Sequence, residues 1–92
     1  MAVEITHVRY GGTQKTESSI EHYRWTNRAS GNVGTNDKPS MVEWVDGGGE
    51  AYVGSGAKRA EVGVVRPSGE RPYLRTHADG SWTNNLLSLP TF

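Results

Sequence analysis

Short runs of β-forming residues, separated by turns rich in glycine or proline, follow one another along most of this 92-residue chain. β-Branched and aromatic side chains favour strands, whereas glycine and proline between such runs favour turns. The runs occupy residues 5–10, 20–25, 50–53, 60–66 and 71–76. This pattern predicts an antiparallel sheet of about five strands.

The first two runs repeat one motif: Ile, any residue, His, a β-former, Arg and an aromatic residue. Side chains on a regular strand alternate between its two faces. We therefore expect an antiparallel pair whose core face carries Val8, Tyr10, Tyr23 and Trp25. The same alternation places on the opposite face Ile5, His7, Arg9, Ile20, His22 and Arg24.

One short helix is predicted over residues 39–46. Ser40 and Glu43 have the spacing of a capping box, and Gly47 stands where a residue with positive φ commonly ends a helix. An apolar stripe that can pack on the sheet consists of Met41, Trp44 and Val45. Residues 27–38 have one aliphatic side chain larger than alanine, so they are predicted to be a mobile loop.

The last residues of the chain are unusually apolar. Asp79-Gly80 predicts a tight turn before Trp82, and three of the four leucines follow it. We expect Leu86, Leu87 and Leu89 to dock on the core, with an asparagine capping a single helical turn. The whole chain is therefore predicted to be one α+β domain over residues 1–92, with one short helix on the sheet and a C-terminal leucine-rich segment closing the core.

Composition excludes several classes of protein. The chain has 10 Lys+Arg against 10 Asp+Glu and no Cys, so disulfides, a thiol nucleophile and Cys-ligated metals are excluded. No apolar run approaches the roughly 20 residues needed to span a bilayer, and the first residues lack the regions of a signal peptide. We expect a cytoplasmic protein without a cofactor.

The C-terminal third carries a recognisable signature: Tyr73-Leu74-Arg75-Thr76, Asp79-Gly80 and Asn84-Asn85-Leu86-Leu87-Ser88-Leu89-Pro90. This ending resembles the bacterial domain-of-unknown-function family numbered 3892. The resemblance extends to Ile5, Val8-Arg9, Trp44, Gly47 and residues 62–64, so it covers nearly the whole chain. It implies a small bacterial α+β domain without an assigned activity, and it supplies no active-site residues.

Two clusters could bind a partner. His7, Arg9, His22 and Arg24 share one predicted strand face and could form an anion-binding patch, because guanidinium groups pair well with phosphate or carboxylate. The alternative reading is the solvent face of a hairpin, with its arginines neutralised by nearby glutamates. A metal site would need a further carboxylate beside the two histidines.

The second cluster is a basic strip around Tyr73 and Arg75, close to Trp82. Aromatic and basic side chains together can bind single-stranded nucleic acid. Lys58 and three arginines complete the strip, but three acidic residues interrupt it, which favours a soluble sheet edge of mixed charge. The glycines of Gly54-Ser55-Gly56 are interpreted as a hairpin turn because the phosphate-loop ending is missing.

No catalytic motif is present. The candidate acid, base and nucleophile residues each have a structural explanation as strand, turn or cap: His22, His77, Ser40 and Asp79. We therefore expect a non-catalytic binding or interaction module, with a protein partner or a second copy of the chain and without a membrane. The alternative is weak binding of single-stranded nucleic acid.

Overall fold

The computed structural model describes residues 2–54, 59–78, 81–83 and 85–92. Their fold is α+β, with one mostly antiparallel sheet whose strand order is β3-β2-β1-β4-β5-β6-β7. The strands are β1 (Ala2–Tyr10), β2 (Ile20–Thr26), β3 (Val33–Asp37), β4 (Glu50–Val53), β5 (Ala60–Val65), β6 (Tyr73–Ala78) and β7 (Ser81–Thr83). One α-helix, α1 (Lys38–Asp46), and two 3-10 turns, Glu17–Ser19 and Asn85–Ser88, complete the described residues. The expected five strands are thus corrected to seven.

One strand pair is parallel. Residues Ala2, Val3 and Glu4 of β1 lie opposite residues 50–52 of β4. Parallel neighbours need a long crossover connection, and β2, β3 and α1 all lie between these two strands in the chain. The other pairs are antiparallel, and β4, β5 and β6 form the predicted meander.

Two β-bulges correct the predicted faces of the first hairpin. The register of β1 against β2 shifts between Ile5 and His7, which leaves Thr6 of β1 as an extra residue, and again between Arg9 and Tyr10, which leaves Glu21 of β2 as an extra residue. Each extra residue reverses the alternation of side chains. Ile5 and Ile20 are therefore fully buried in the core rather than on the opposite face. The expected core residues Val8 and Tyr23 are confirmed as fully buried, and Tyr10 and Trp25 pack against them.

The predicted loop over residues 27–38 contains a strand. β3 pairs antiparallel with β2 from Val33 to Asp37. The turn before it is held by the Asn27 side chain, which accepts hydrogen bonds from the main-chain N–H groups of Ala29 and Ser30 at 3.0 and 3.3 Å. An edge strand needs only main-chain hydrogen bonds to its neighbour, so the lack of aliphatic residues did not prevent it.

The helix caps also differ from those expected. Asp37, not Ser40, is the N-cap, and its carboxylate accepts a hydrogen bond from the Ser40 main-chain N–H at 3.0 Å. Gly48 rather than Gly47 has positive φ, at 109°. Met41 and Val42 are buried, while Trp44 and Val45 pack partly buried against the core.

The core lies between the sheet and α1, and the C-terminal segment joins it. Leu86 is fully buried, while Leu87 and Leu89 pack against the core. Beyond them the chain runs beside β1, where the Val8 N–H donates to the Pro90 carbonyl at 3.1 Å. The expectations for Asp79-Gly80, for residues 55–58 and for Asn84 lie outside the described residues.

Candidate functional site

The predicted His/Arg patch on β1 and β2 is covered by the chain itself. The guanidinium carbons of Arg9 and Arg24 lie 5.0 and 4.9 Å from the centroid of the Phe92 ring. The His7 ring meets the same ring edge-on at 6.3 Å between centroids, and Arg9 Nε donates to the Phe92 main-chain oxygen at 2.8 Å. Cations over an aromatic face are attracted to it. Three of the four predicted residues therefore come together on Phe92, which the sequence alone did not place there.

His22 lies in a different environment. It lines an open cleft of about 630 Å³ between β2, α1 and the connection from β5 to β6. The charged side chains of this cleft are Glu21, Asp37, Lys38, Glu43, Asp46, Arg66 and Arg71. Arg66 pairs with Asp46 at 2.5 Å between Nη2 and Oδ1. The mixed charge favours a solvated surface over an anion site, although His22 Nδ1 is buried without a hydrogen-bond partner among the described residues.

The second predicted cluster, Tyr73 and Arg75, lies on β6. Arg75 Nε donates to the Thr83 carbonyl at 3.2 Å and lies 3.7 Å from Oε2 of Glu17. Tyr73 is half-buried opposite Val65. Arg75 therefore already ties β6 to β7 and to the first 3-10 turn.

The structure gives no support to a metal site built on His7 and His22. In the described ranges no group of three or more His, Asp or Glu side chains is placed to hold a metal ion. No helix in this part of the chain is long and apolar enough to cross a membrane.

A smaller cavity between the sheet and α1 has a different chemistry. It encloses about 300 Å³. Its lining residues come from β1, β2, β3 and α1 and are Val3, Trp25, Asn36, Ser40, Met41 and Trp44. Two indole rings and two aliphatic side chains thus form most of the wall, and none of these residues is ionisable. We call this space the Trp25–Trp44 cavity.

Both indole rings rest on a glycine. A Cβ at Gly34 would lie 2.6 Å from Cζ2 of Trp25, and a Cβ at Gly49 would lie 2.4 Å from Cδ2 and Cε2 of Trp44. Any side chain at either position would push the indole away. These glycines therefore fix the cavity walls, and sequence reasoning missed this role because it depends on the pairing of Trp25 with Gly34 across two strands.

Asn36 and Ser40 supply the polar groups of the cavity. Trp25 Nε1 donates to Asn36 Oδ1 at 2.8 Å, so the amide nitrogen of Asn36 is the donor that it can offer to a ligand. Hydrogen bonds from the Ser40 hydroxyl and main chain lower the pKa of Asp37. The Ser40 hydroxyl can both donate and accept a hydrogen bond.

The face of the sheet opposite α1 carries a second aromatic group. Tyr52, Glu61, His77 and Trp82 lie opposite one another across β4 to β7. Trp82 is 47% exposed and meets the His77 ring edge-on at 5.6 Å between centroids. Arg59 lies 4.0 Å above the Tyr52 ring and donates to Glu61 at 2.8 Å. We call this row the outer face.

In the described ranges, the fold is a small α+β domain with one mostly antiparallel sheet, one α-helix and a cavity between them. The family model for protein of unknown function DUF3892 matches residues 4–90, so the chain belongs to this family, as its C-terminal signature indicated. No curated protein and no solved structure matches the chain.

Proposed function

We propose that this domain is a non-catalytic binding module and that the Trp25–Trp44 cavity is its binding site. The observation that carries this proposal is the pair of indole rings held on Gly34 and Gly49 around about 300 Å³ of space. Pockets lined by aromatic side chains with a few polar groups are typical ligand sites, and this volume is at the small end of their range. We place the module in the bacterial cytoplasm, in keeping with the family resemblance and the cysteine-free chain.

The chemistry of the lining favours binding over reaction. General acid–base or nucleophilic catalysis needs a titratable or activated side chain at the bound molecule. The cavity offers only indole, thioether, aliphatic, amide and hydroxyl groups. Its ligand is therefore an uncharged, ring-sized apolar group, and a ligand that also carries a hydrogen-bond acceptor can bond the Asn36 amide.

Fragment binding measured by NMR tests this function. Uncharged aromatic and alicyclic fragments with a carbonyl are titrated into labelled protein, with the indole N–H signals of Trp25 and Trp44 as reporters. Both signals are expected to shift while that of Trp82, on the outer face, stays unchanged. Shifts confined to Trp82, or none at all, would contradict the proposal.

A pair of glycine variants provides the matched control. Gly34→Ala forces the Trp25 indole off its support and is expected to weaken fragment binding at least tenfold. Gly12→Ala makes the same chemical change where nothing lies within 4 Å of the new Cβ, so its affinity should equal that of the parent. If both folded variants bound the fragments with equal affinity, the fragments would not bind in this cavity.

The second candidate function is weak binding of single-stranded nucleic acid on the outer face, favoured by the exposure of Trp82. Exposed aromatic rings beside arginine can stack bases. Arg59 and Arg75 already have acidic neighbours, which reduces the charge available for phosphates. Fluorescence anisotropy with a labelled oligonucleotide tests it: binding should weaken steeply with salt and be lost in Trp82→Ala.

A further inference from the structure

We infer that the open edge of β3 is a docking site for an extended segment of a partner protein, which adds to the sheet and places one bulky apolar side chain in the Trp25–Trp44 cavity. This inference rests on the proposed function and names its partner class. Strand addition at a sheet edge draws affinity from main-chain hydrogen bonds and specificity from pockets for alternate side chains.

The main chain of β3 is open on one side. In the described part of the chain β3 ends the sheet, with β2 as its only strand neighbour. Its sequence, Val-Gly-Thr-Asn-Asp, contains neither the proline nor the lysine with which proteins commonly protect an edge, and its one charged residue, Asp37, lies at its end as the cap of α1. Val33 is 69% exposed at its start. The strand therefore offers an unprotected row of donors and acceptors.

The side chains of an added strand would meet the cavity. A Cβ on Gly34 would point at the Trp25 ring, and Asn36 itself lines the cavity, so these two positions of β3 face α1. Paired strands keep their alternation in step, so every second residue of an added strand faces the same side. One such residue lies beside Asn36 and Ser40, where a large apolar side chain can enter.

The chain itself already shows this form of contact at another edge. β4 covers only the first residues of β1, Ala2 to Glu4, and residues 90–92 run beside the next part of β1. There Val8 pairs with Thr91 in a parallel bridge, while the Phe92 ring lies against Arg9 and Arg24. An extended segment with one seated aromatic ring thus covers the edge of β1, whereas the described residues leave the edge of β3 uncovered.

Two copies paired through their β3 strands would not fill the cavity. If two β3 strands paired about a two-fold axis perpendicular to the sheet, each would present Gly34 and Asn36 on the side of α1. Neither residue is bulky and apolar, so the cavity would stay unfilled. The occupant that we infer is a segment of a different protein with a large apolar residue flanked by strand-forming polar residues, and a dimer of this chain is one of the outcomes of the test.

Synthetic peptides test the inference without altering the protein. The probe is acetyl-KTTTFTTTK-amide, with a matched peptide that has alanine in place of phenylalanine. Two further probes carry N-methyl groups on every second residue, one on the odd and one on the even positions. Each N-methylated set removes the hydrogen-bond donors from one edge of the peptide.

Binding is followed by NMR on the full chain. The phenylalanine peptide should shift the β3 amides and the indole signals of Trp25 and Trp44. The alanine peptide and one N-methylated peptide should bind at least tenfold more weakly. The other N-methylated peptide should stay within about threefold, because only one edge of an added strand donates hydrogen bonds to β3.

Several results would overturn strand addition. They are equal binding of both N-methylated peptides, equal binding of the phenylalanine and alanine peptides, shifts mapping to β7, no binding at millimolar peptide, or a dimer that protects the β3 amides. If uncharged fragments still shift Trp25 and Trp44 in those cases, the proposed function stands and only its partner class is wrong. If neither fragments nor peptides shift these indoles, both proposals fail.

Discussion

Two strands have main-chain groups that no other strand of the sheet pairs, the second half of β1 inside the sheet and β3 at its end, and the fold treats these two edges differently. The second half of β1 is covered by residues 90–92 through the Val8–Pro90 hydrogen bond and the contacts of Phe92. β3 has no such cover among the described residues. β1 carries three core side chains, Val3, Ile5 and Val8, whereas none of the five residues of β3 is buried. The chain protects the edge on which its core depends.

Removal of the C-terminal segment should have the largest effect on this contrast. Deleting residues 86–92 removes the fully buried Leu86 together with the cover of β1. Loss of one such leucine side chain costs about 2–5 kcal/mol, against a total stability of about 5–14 kcal/mol for a domain of this size. We expect no cooperative thermal transition by circular dichroism. A truncated protein that melts near the parent temperature would show that this segment does not close the core.

A smaller deletion separates edge cover from core packing. Removing residues 90–92 leaves Leu86, Leu87 and Leu89 in place but removes the acceptor of the Val8 N–H. We expect a folded protein that is destabilised by about 1–2 kcal/mol, since two exposed cation–π contacts are lost. Hydrogen exchange at Val8 should accelerate strongly while β3 is unchanged. Unaltered exchange at Val8 would mean that the tail does not cover this edge.

The N-cap at the end of the open edge should have a moderate effect. Asp37→Ala removes the acceptor for Ser40 N–H and should lower the melting temperature by a few degrees at neutral pH. The pKa of Asp37 is lowered in the folded state, so its stabilisation is complete above the unfolded pKa and is lost as pH falls through the folded value. The difference between variant and parent should therefore shrink in acid, and Asp37→Asn, which keeps the cap, serves as control.

Protection of the open edge should have the smallest effect on stability. Val33→Lys changes a residue that is 69% exposed, so the free energy of unfolding should stay within about 0.5 kcal/mol of the parent. Lysine on an edge disfavours strand addition. The phenylalanine peptide should then bind several-fold more weakly in the NMR titration, whereas fragment binding in the cavity should be unchanged. If Val33→Lys bound the phenylalanine peptide as tightly as the parent does, the peptide would not bind at the edge of β3.

Local sequence patterns predicted the elements better than their relations. The first two strands, the meander, the helix and the packing of Trp44 and Val45 follow from runs of β-formers, periodicity and glycine positions, which act over a few residues. The prediction of a mobile loop over residues 27–38 was wrong because these residues contain the edge strand β3. Such a strand is stabilised by hydrogen bonds to its neighbour and needs no hydrophobic pattern of its own. The faces of Ile5 and Ile20 were wrong because a bulge leaves no reliable mark in a single sequence.

The candidate site shows the same division. The sequence placed His7, Arg9 and Arg24 together on one strand face, and the structure brings these three onto Phe92. His22 lies in a separate cleft beside the helix. The Trp25–Trp44 cavity was not predicted, since its two rings are 19 positions apart and the support of Trp25 by Gly34 depends on the pairing of β2 with β3.

By itself the sequence predicted a small α+β domain with an antiparallel sheet and one short helix, and it carried a family signature in its last third. Only the tertiary structure decided which two strands pair in parallel, which strand edge is covered, which glycines support the indole rings and which ring lies over Arg9 and Arg24. The physical reason is range: hydrogen-bonded periodicity and turn geometry are set by adjacent residues, whereas edge cover and cavity walls are set by side chains that meet only after the sheet has formed.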